Sequence, residues 1–101
     1  MFKNERYMTK GISNDLPLEI SIFLWTLIDE LKGKVQLDYL QVFKLKSEPY
    51  GDHKFKIIVT HSQEVPVYRK EDEFYYDQAI DGKIFVIDDD THSTMLWSYE
   101  Y

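Results

Sequence analysis

The chain predicts an α+β fold: one long N-terminal helix packed on a strongly bent, mainly antiparallel sheet of five or six strands. Three observations carry that expectation. Residues 15–32 (DLPLEISIFLWTLIDELK) place apolar side chains at helical spacing. The later segments are short, rich in β-branched and aromatic residues, and punctuated by Gly, Pro and Asp. With 101 residues, 44% of them hydrophobic and 16% aromatic, the chain suffices for one core and one domain spanning 1–101. A small half-open barrel plugged by the helix is the alternative architecture.

Residues 6–12 (RYMTKGI) read as a first strand that ends at Gly11. In the helix, an advance of about 100° per residue gathers Leu16, Ile20, Phe23, Leu24, Leu27, Ile28 and Leu31 on one core-facing arc. Ser13, Asn14 or Asp15 suits the N-cap, and Pro17 suits the first turn. Gly33 suits the stop, and Lys32 and Lys34 suit the negative end of the helix dipole. Leu18, Ile22 and Trp25 fall on the far side, either beneath the N-terminal arm or a late loop, or free as a partner surface.

Residues 37–46 and 54–61 predict a hairpin closed by the Pro49- and Gly51-containing loop 47–53. Placing Lys46 opposite Lys54 puts Leu45 against Phe55 and Phe43 against Ile57 on one apolar face. The other face is then apolar at one end and basic at the other. Pro66 restricts 62–68 to an edge strand or a turn, 69–73 (RKEDE) reads as a charged loop, and 74–80 as a weak strand. Asp81-Gly82 predicts a tight turn into 83–87 (KIFVI), apolar on both faces and suited to a central strand. In 94–101 (TMLWSYEY), Met95, Trp97, Tyr99 and Tyr101 share one face of a last strand.

Composition sets functional limits. The chain has no cysteine, so disulfides and thiolate sites are excluded. Its opening decapeptide, MFKNERYMTK, does not resemble a signal peptide, and no apolar run is long enough to span a bilayer; a cytoplasmic protein with no membrane contact is expected. The net charge of −6 argues against nonspecific binding to nucleic acid, while leaving a basic partner or mimicry of nucleic acid compatible.

Ordered pieces along nearly the whole chain also carry a resemblance. They are Arg6-Tyr7-x-Thr9-Lys10-Gly11-Ile12, Leu16-Pro17, Leu24-Trp25-x-x-Ile28-Asp29 and Asp38-Tyr39-Leu40-Gln41-Val42-Phe43. Gln63-Glu64-x-Pro66-x-Tyr68, Lys83-Ile84-Phe85-Val86-Ile87-Asp88-Asp89, His92-Ser93-Thr94-Met95-Leu96 and Glu100-Tyr101 continue the series. Together they resemble domain-of-unknown-function family nine-sixty, small proteins of Firmicutes and of their phages and mobile elements. Lys10 in place of Arg, and Trp97-Ser98-Tyr99 in place of a Leu-Ala-Glu tract, are mild departures. The resemblance implies a bacterial or phage origin and no activity.

Three constellations are candidates for function. Asp88, Asp89 and His92, with His61 and Glu64 if their strands pair, contain metal-ligating groups, although Asp-rich turns are ordinary connectors. Lys44, Lys46, Lys54 and Lys56 form a basic patch suited to phosphate or an acidic partner, or a solvated hairpin end. Trp97, Tyr99 and Tyr101 offer an aromatic edge for strand addition. No nucleophile elbow, relay or Gly-rich phosphate loop is present, so no catalytic residue and no cofactor is expected. The reading is a nonenzymatic protein-interaction module that binds an unidentified protein or a second copy of itself. A metal-dependent hydrolase or nuclease, and a nucleic-acid mimic or binder, are the alternatives.

Overall fold

The structure, a computed structural model, describes residues 1–101. Six strands and two α-helices follow in the order β1 (Glu5–Met8), α1 (Lys10–Asp15), α2 (Leu18–Leu31), β2 (Leu40–Pro49), β3 (Phe55–Gln63), β4 (Tyr68–Tyr76), β5 (Gly82–Asp88) and β6 (His92–Trp97). A 3₁₀ turn, Ser98–Glu100, follows β6. The fold is α+β, with strands dominating. The strand order is β1-β6-β5-β2-β3-β4; β1 pairs with β6 in parallel and every other pair is antiparallel.

The single long helix of the sequence reading is two helices. Pro17 disfavours helical geometry at the residue before it, and Leu16 is extended (φ −110°, ψ 123°). The predicted caps Ser13, Asn14 and Asp15 therefore belong to α1, which Thr9 caps by accepting from the Ile12 N–H. α1 also takes the end of the predicted first strand. Gly33 (φ 82°) adopts the left-handed geometry after the helix, as the stop signal requires.

Burial alternates along the strands and shows one covered face. Phe43, Leu45, Ile57, Val59, Ile84, Val86, Met95 and Trp97 form a common core with Ile20, Leu24, Trp25, Leu27 and Ile28 of α2. Phe23 packs edge-on against Phe74, and the Tyr76 hydroxyl donates to Glu19. The N-terminus is bound in as well. Phe2 is fully buried, its N–H donates to Asp88 Oδ2 at 2.8 Å, and its carbonyl accepts from Lys32 Nζ at 2.7 Å.

Local readings shift in four places. The β2–β3 hairpin is real, but Lys46 lies opposite Ile58 rather than Lys54. That four-residue slip preserves the side-chain faces because the strand period is two. Residues 69–73 are not a loop; they form much of β4, at the sheet edge. Asp81-Gly82 closes no hairpin, because β5 pairs with β2 and β6. Instead, the Asp81 and Ile80 region is bonded to Ser47: Ser47 N–H donates to Asp81 Oδ1 at 2.7 Å, and Ile80 N–H to Ser47 Oγ at 2.6 Å. β6 ends at Trp97, so Tyr99 and Tyr101 do not continue its buried face.

Candidate functional site

Both α-helices contribute to the core on one side of the sheet, and on the opposite face the C-terminal Tyr101 packs edge-on against Phe85. On that opposite face, Leu40, Val42, Lys44 and Lys46 of β2 alternate with the buried Gln41, Phe43 and Leu45. Ile58, Thr60 and Ser62 of β3, Arg69 and Glu71 of β4, and Lys83 and Phe85 of β5 share this face by the ladder register. Lys44 lies between Thr60 on β3 and Lys83 on β5. A concavity of about 530 Å³ opens here, with cations from Lys44, Lys46, Lys83 and Arg69, hydroxyls from Thr60 and Ser62, and apolar surface from Val42 and Ile58. Glu48 and Glu71 complete its wall.

Arg69 is paired with Glu71 at 3.3 Å, whereas Lys44, Lys46 and Lys83 make no ion pair. In a chain of net charge −6, this is a local concentration of uncompensated positive charge. What it offers chemically is attraction and hydrogen bonding to an anion, next to apolar contact.

The predicted lysine patch is therefore half present. Lys44 and Lys46 line the concavity, but Lys56 is bound to Glu73 at 3.2 Å, which pushes its pKa up. Lys54 precedes β3, where its carbonyl accepts from the Tyr50 N–H at 2.9 Å. Lys83 and Arg69 are the cations that sequence reasoning missed. The sequence places Lys83 just after a turn and Arg69 in a charged loop; only the strand order brings them beside Lys44.

The predicted aromatic contact surfaces lose their anchors. Trp25 is 8% exposed, with the Arg6 guanidinium 4.7 Å from its ring centroid. Arg6 is held there by a two-pronged bond to Asp29, whose pKa it lowers. Leu18 and Ile22 stay exposed beside it. Trp97 is 5% exposed and β6 is flanked by β1 and β5, so no strand can add at that edge. Tyr99 stacks on Trp97, and Tyr101 packs edge-on against Phe85 on the open face.

Of the predicted metal ligands, Asp89 and His92 meet, with His92 Nε2 3.3 Å from Asp89 Oδ2, but His61 and Glu64 do not join them, and no three His, Asp or Glu side chains form a cation site. Asp88 is committed to the fold: besides Phe2 it accepts from Asn4 Nδ2 and the Asp90 N–H, each at 2.9 Å. Burial opposes its charge, but these bonds outweigh burial and lower its pKa. Asp89 Oδ1 accepts from the Thr91 hydroxyl and the N–H groups of Thr91 and His92, which pulls its pKa down to about 2. The acidic run is thus a hydrogen-bonded turn.

His61 lies away from that turn, on the buried face of β3, with β2 between β3 and β5. Glu64 is exposed after β3. His61 stacks on Phe43 with 4.3 Å between centroids, and its Nε2 is 2.7 Å from Gln41 Oε1. Gln41 Nε2 donates to Gln63 Oε1 and the Asp38 carbonyl, so the Gln41 oxygen is left to accept and Nε2 of His61 carries the proton. Burial, reinforced by Lys70, pushes the imidazole pKa down to about 4. This histidine is a neutral element of the core.

No curated protein matches the chain. No helix is long and apolar enough to cross a membrane. The chain is similar to a crystal structure of a protein of unknown function from Enterococcus faecalis, at 30% identity and a TM-score of 0.79, covering 97% of this chain and 91% of that one. Residues 5–100 match the family described as staphylococcal protein of unknown function, DUF960. The chain belongs to the DUF960 family.

Proposed function

We propose that this protein is a nonenzymatic interaction module whose contact surface is the open sheet face, and that it binds an acidic, extended segment of a partner protein. The observation that carries this reading is the facing pair Lys44 and Lys83, unneutralised beside Lys46 and Arg69 in one concavity. Like charges directly opposite in a sheet are unfavourable, and an anionic partner removes the conflict. Val42, Ile58 and Phe85 add apolar surface for alternate side chains of an extended peptide. A nucleic-acid backbone fits less well. It carries a charge at every nucleotide and so meets the −6 charge and the Glu48 and Glu71 wall more strongly than a peptide whose acidic side chains alternate with apolar ones. Its phosphates also give Val42 and Ile58 no apolar partner. A stoichiometric role of this kind, in the cell or on a phage or mobile element, needs a contact surface and no reaction centre.

The test is fluorescence anisotropy with a library of labelled Asp/Glu-rich peptides and a labelled single-stranded oligonucleotide. Wild type is compared with the double variant Lys44→Glu/Lys83→Glu. Peptide binding by wild type that the double variant loses supports the module. Preferential binding of the oligonucleotide, or peptide binding equal in both proteins, rejects it.

A further inference from the structure

β4 is the long free edge of the sheet. Its nine residues pair with β3 on one side and with no strand on the other. Half of its backbone N–H and C=O groups therefore point outward, a row able to pair with another strand. The opposite edge, β1, has only four residues. β4 contains no Pro and no Gly, and its middle carries both signs of charge in the order Arg69, Lys70, Glu71, Asp72, Glu73.

We infer that a second copy of this chain pairs with β4, antiparallel, about a two-fold axis through Glu71. Such an axis stands perpendicular to the sheet and keeps each residue on its own face, so it must pass through a residue and not between two. With the axis at Glu71, Arg69 faces Glu73 of the second copy, Lys70 faces Asp72, and Tyr68 faces Phe74. Val67 and Tyr75, 86% and 51% exposed, also come opposite each other. Every charged pair is complementary except Glu71 with itself, and Arg69 sits 3.3 Å from that carboxylate.

Neighbouring registers match charge less well. An axis at Lys70 sets that lysine against itself and Tyr68 against Asp72, and keeps one kind of complementary pair, Arg69 with Glu71, where the Glu71 axis has two. An axis at Asp72 sets the aspartate against itself, with Glu71 against Glu73. Opposite charges across a ladder favour pairing and like charges oppose it, so the β4 sequence selects one register.

A second observation points the same way. Asp72 lies on the helix-side face of β4, and its Oδ2 is buried with no hydrogen-bond partner. The other oxygen has only Lys70 Nζ, at 3.8 Å. A carboxylate oxygen withdrawn from water without a donor is costly, and the second copy's Lys70 is the donor this register supplies. The dimer would carry a twelve-stranded sheet, with its two basic concavities on one continuous face. The seam itself needs no ligand, so its test is independent of the peptide.

The experiment is sedimentation velocity over a concentration series, with far-UV circular dichroism confirming that each variant is folded. Wild type should dimerise. Lys70→Glu should weaken the dimer by roughly tenfold or more, since it opposes Asp72 at two equivalent positions. The swap Lys70→Asp/Asp72→Lys should restore it. Glu71→Gln should tighten it by roughly two- to fivefold by removing the one like-charge pair. A wild type that stays monomeric, a dimer indifferent to Lys70→Glu, a swap that fails to rescue, or a Glu71→Gln dimer no tighter than wild type each overturns the inference. If Lys70→Glu does not fold, wild type and Glu71→Gln carry the test.

Discussion

Lys44 and Lys83 stand directly opposite each other across the β2–β5 ladder, on the sheet face that no helix covers. Neither has an acidic partner within the chain. The pairing costs stability where it stands, and it concentrates charge in the concavity that the proposed function uses.

Lys83→Glu converts this repulsion into an opposite-charge pair. The variant should be more stable than wild type by about 0.2–1 kcal/mol, measured by urea denaturation at low salt. It should also bind acidic peptide more weakly. A gain in stability coupled to a loss of binding is the signature of a charge pair kept for contact, whereas a loss of both would indicate a structural lysine.

His61 makes stability depend on pH above the carboxylate range. Its pKa is about 4 in the folded protein against 6.5 for an ordinary histidine, so between these values the unfolded chain binds the extra proton. Its contribution is complete above pH 6.5 and declines as the pH falls toward 4, by on the order of 3 kcal/mol. Denaturation at half-unit pH steps measures the slope. Following the imidazole resonance by NMR should show no titration near pH 6.5.

Asp88 acts in a lower window. Its folded pKa lies below 3.8, so its contribution is present above about pH 4 and is lost as the pH falls through the folded value. Asp88→Asn should cost about 1–3 kcal/mol at pH 7, because the amide places an N–H₂ among three donors. The difference from wild type should shrink at pH 3. Equal stability at pH 7 would contradict the anchoring of Phe2 and Asn4 by this side chain.

Gly82→Ala should destabilise by at least about 1 kcal/mol. Gly82 has φ 145°, and a Cβ there would lie 2.8 Å from Trp97 Cζ3. The steric conflict falls on a ring that is 5% exposed, so the tryptophan emission should shift along with the melting temperature.

Much of the fold was legible along the chain because it is written in short-range pattern. The α2 core face, the β2–β3 hairpin, β5 and the start of β6 all follow from apolar spacing over fewer than twenty residues. The split at Leu16-Pro17 was legible too, since a residue before proline avoids helical geometry. The long apolar arc across both residues hid it. Arg69–Glu73 reads as a loop because charge usually marks solvent, and an edge strand exposed on one side meets the same condition.

The sequence by itself determined the family, the absence of cysteine chemistry, the α+β class and which residues of most strands share a face. Alternation and helical spacing are local properties, and a slip of four residues in the hairpin leaves them unchanged. Tertiary structure alone decided the strand order, the parallel β1–β6 pair, the cover that Arg6 provides for Trp25, and the meeting of Lys44 with Lys83 and Arg69. These depend on contacts between distant segments, where many arrangements satisfy the same local pattern. Only packing of the whole core selects among them.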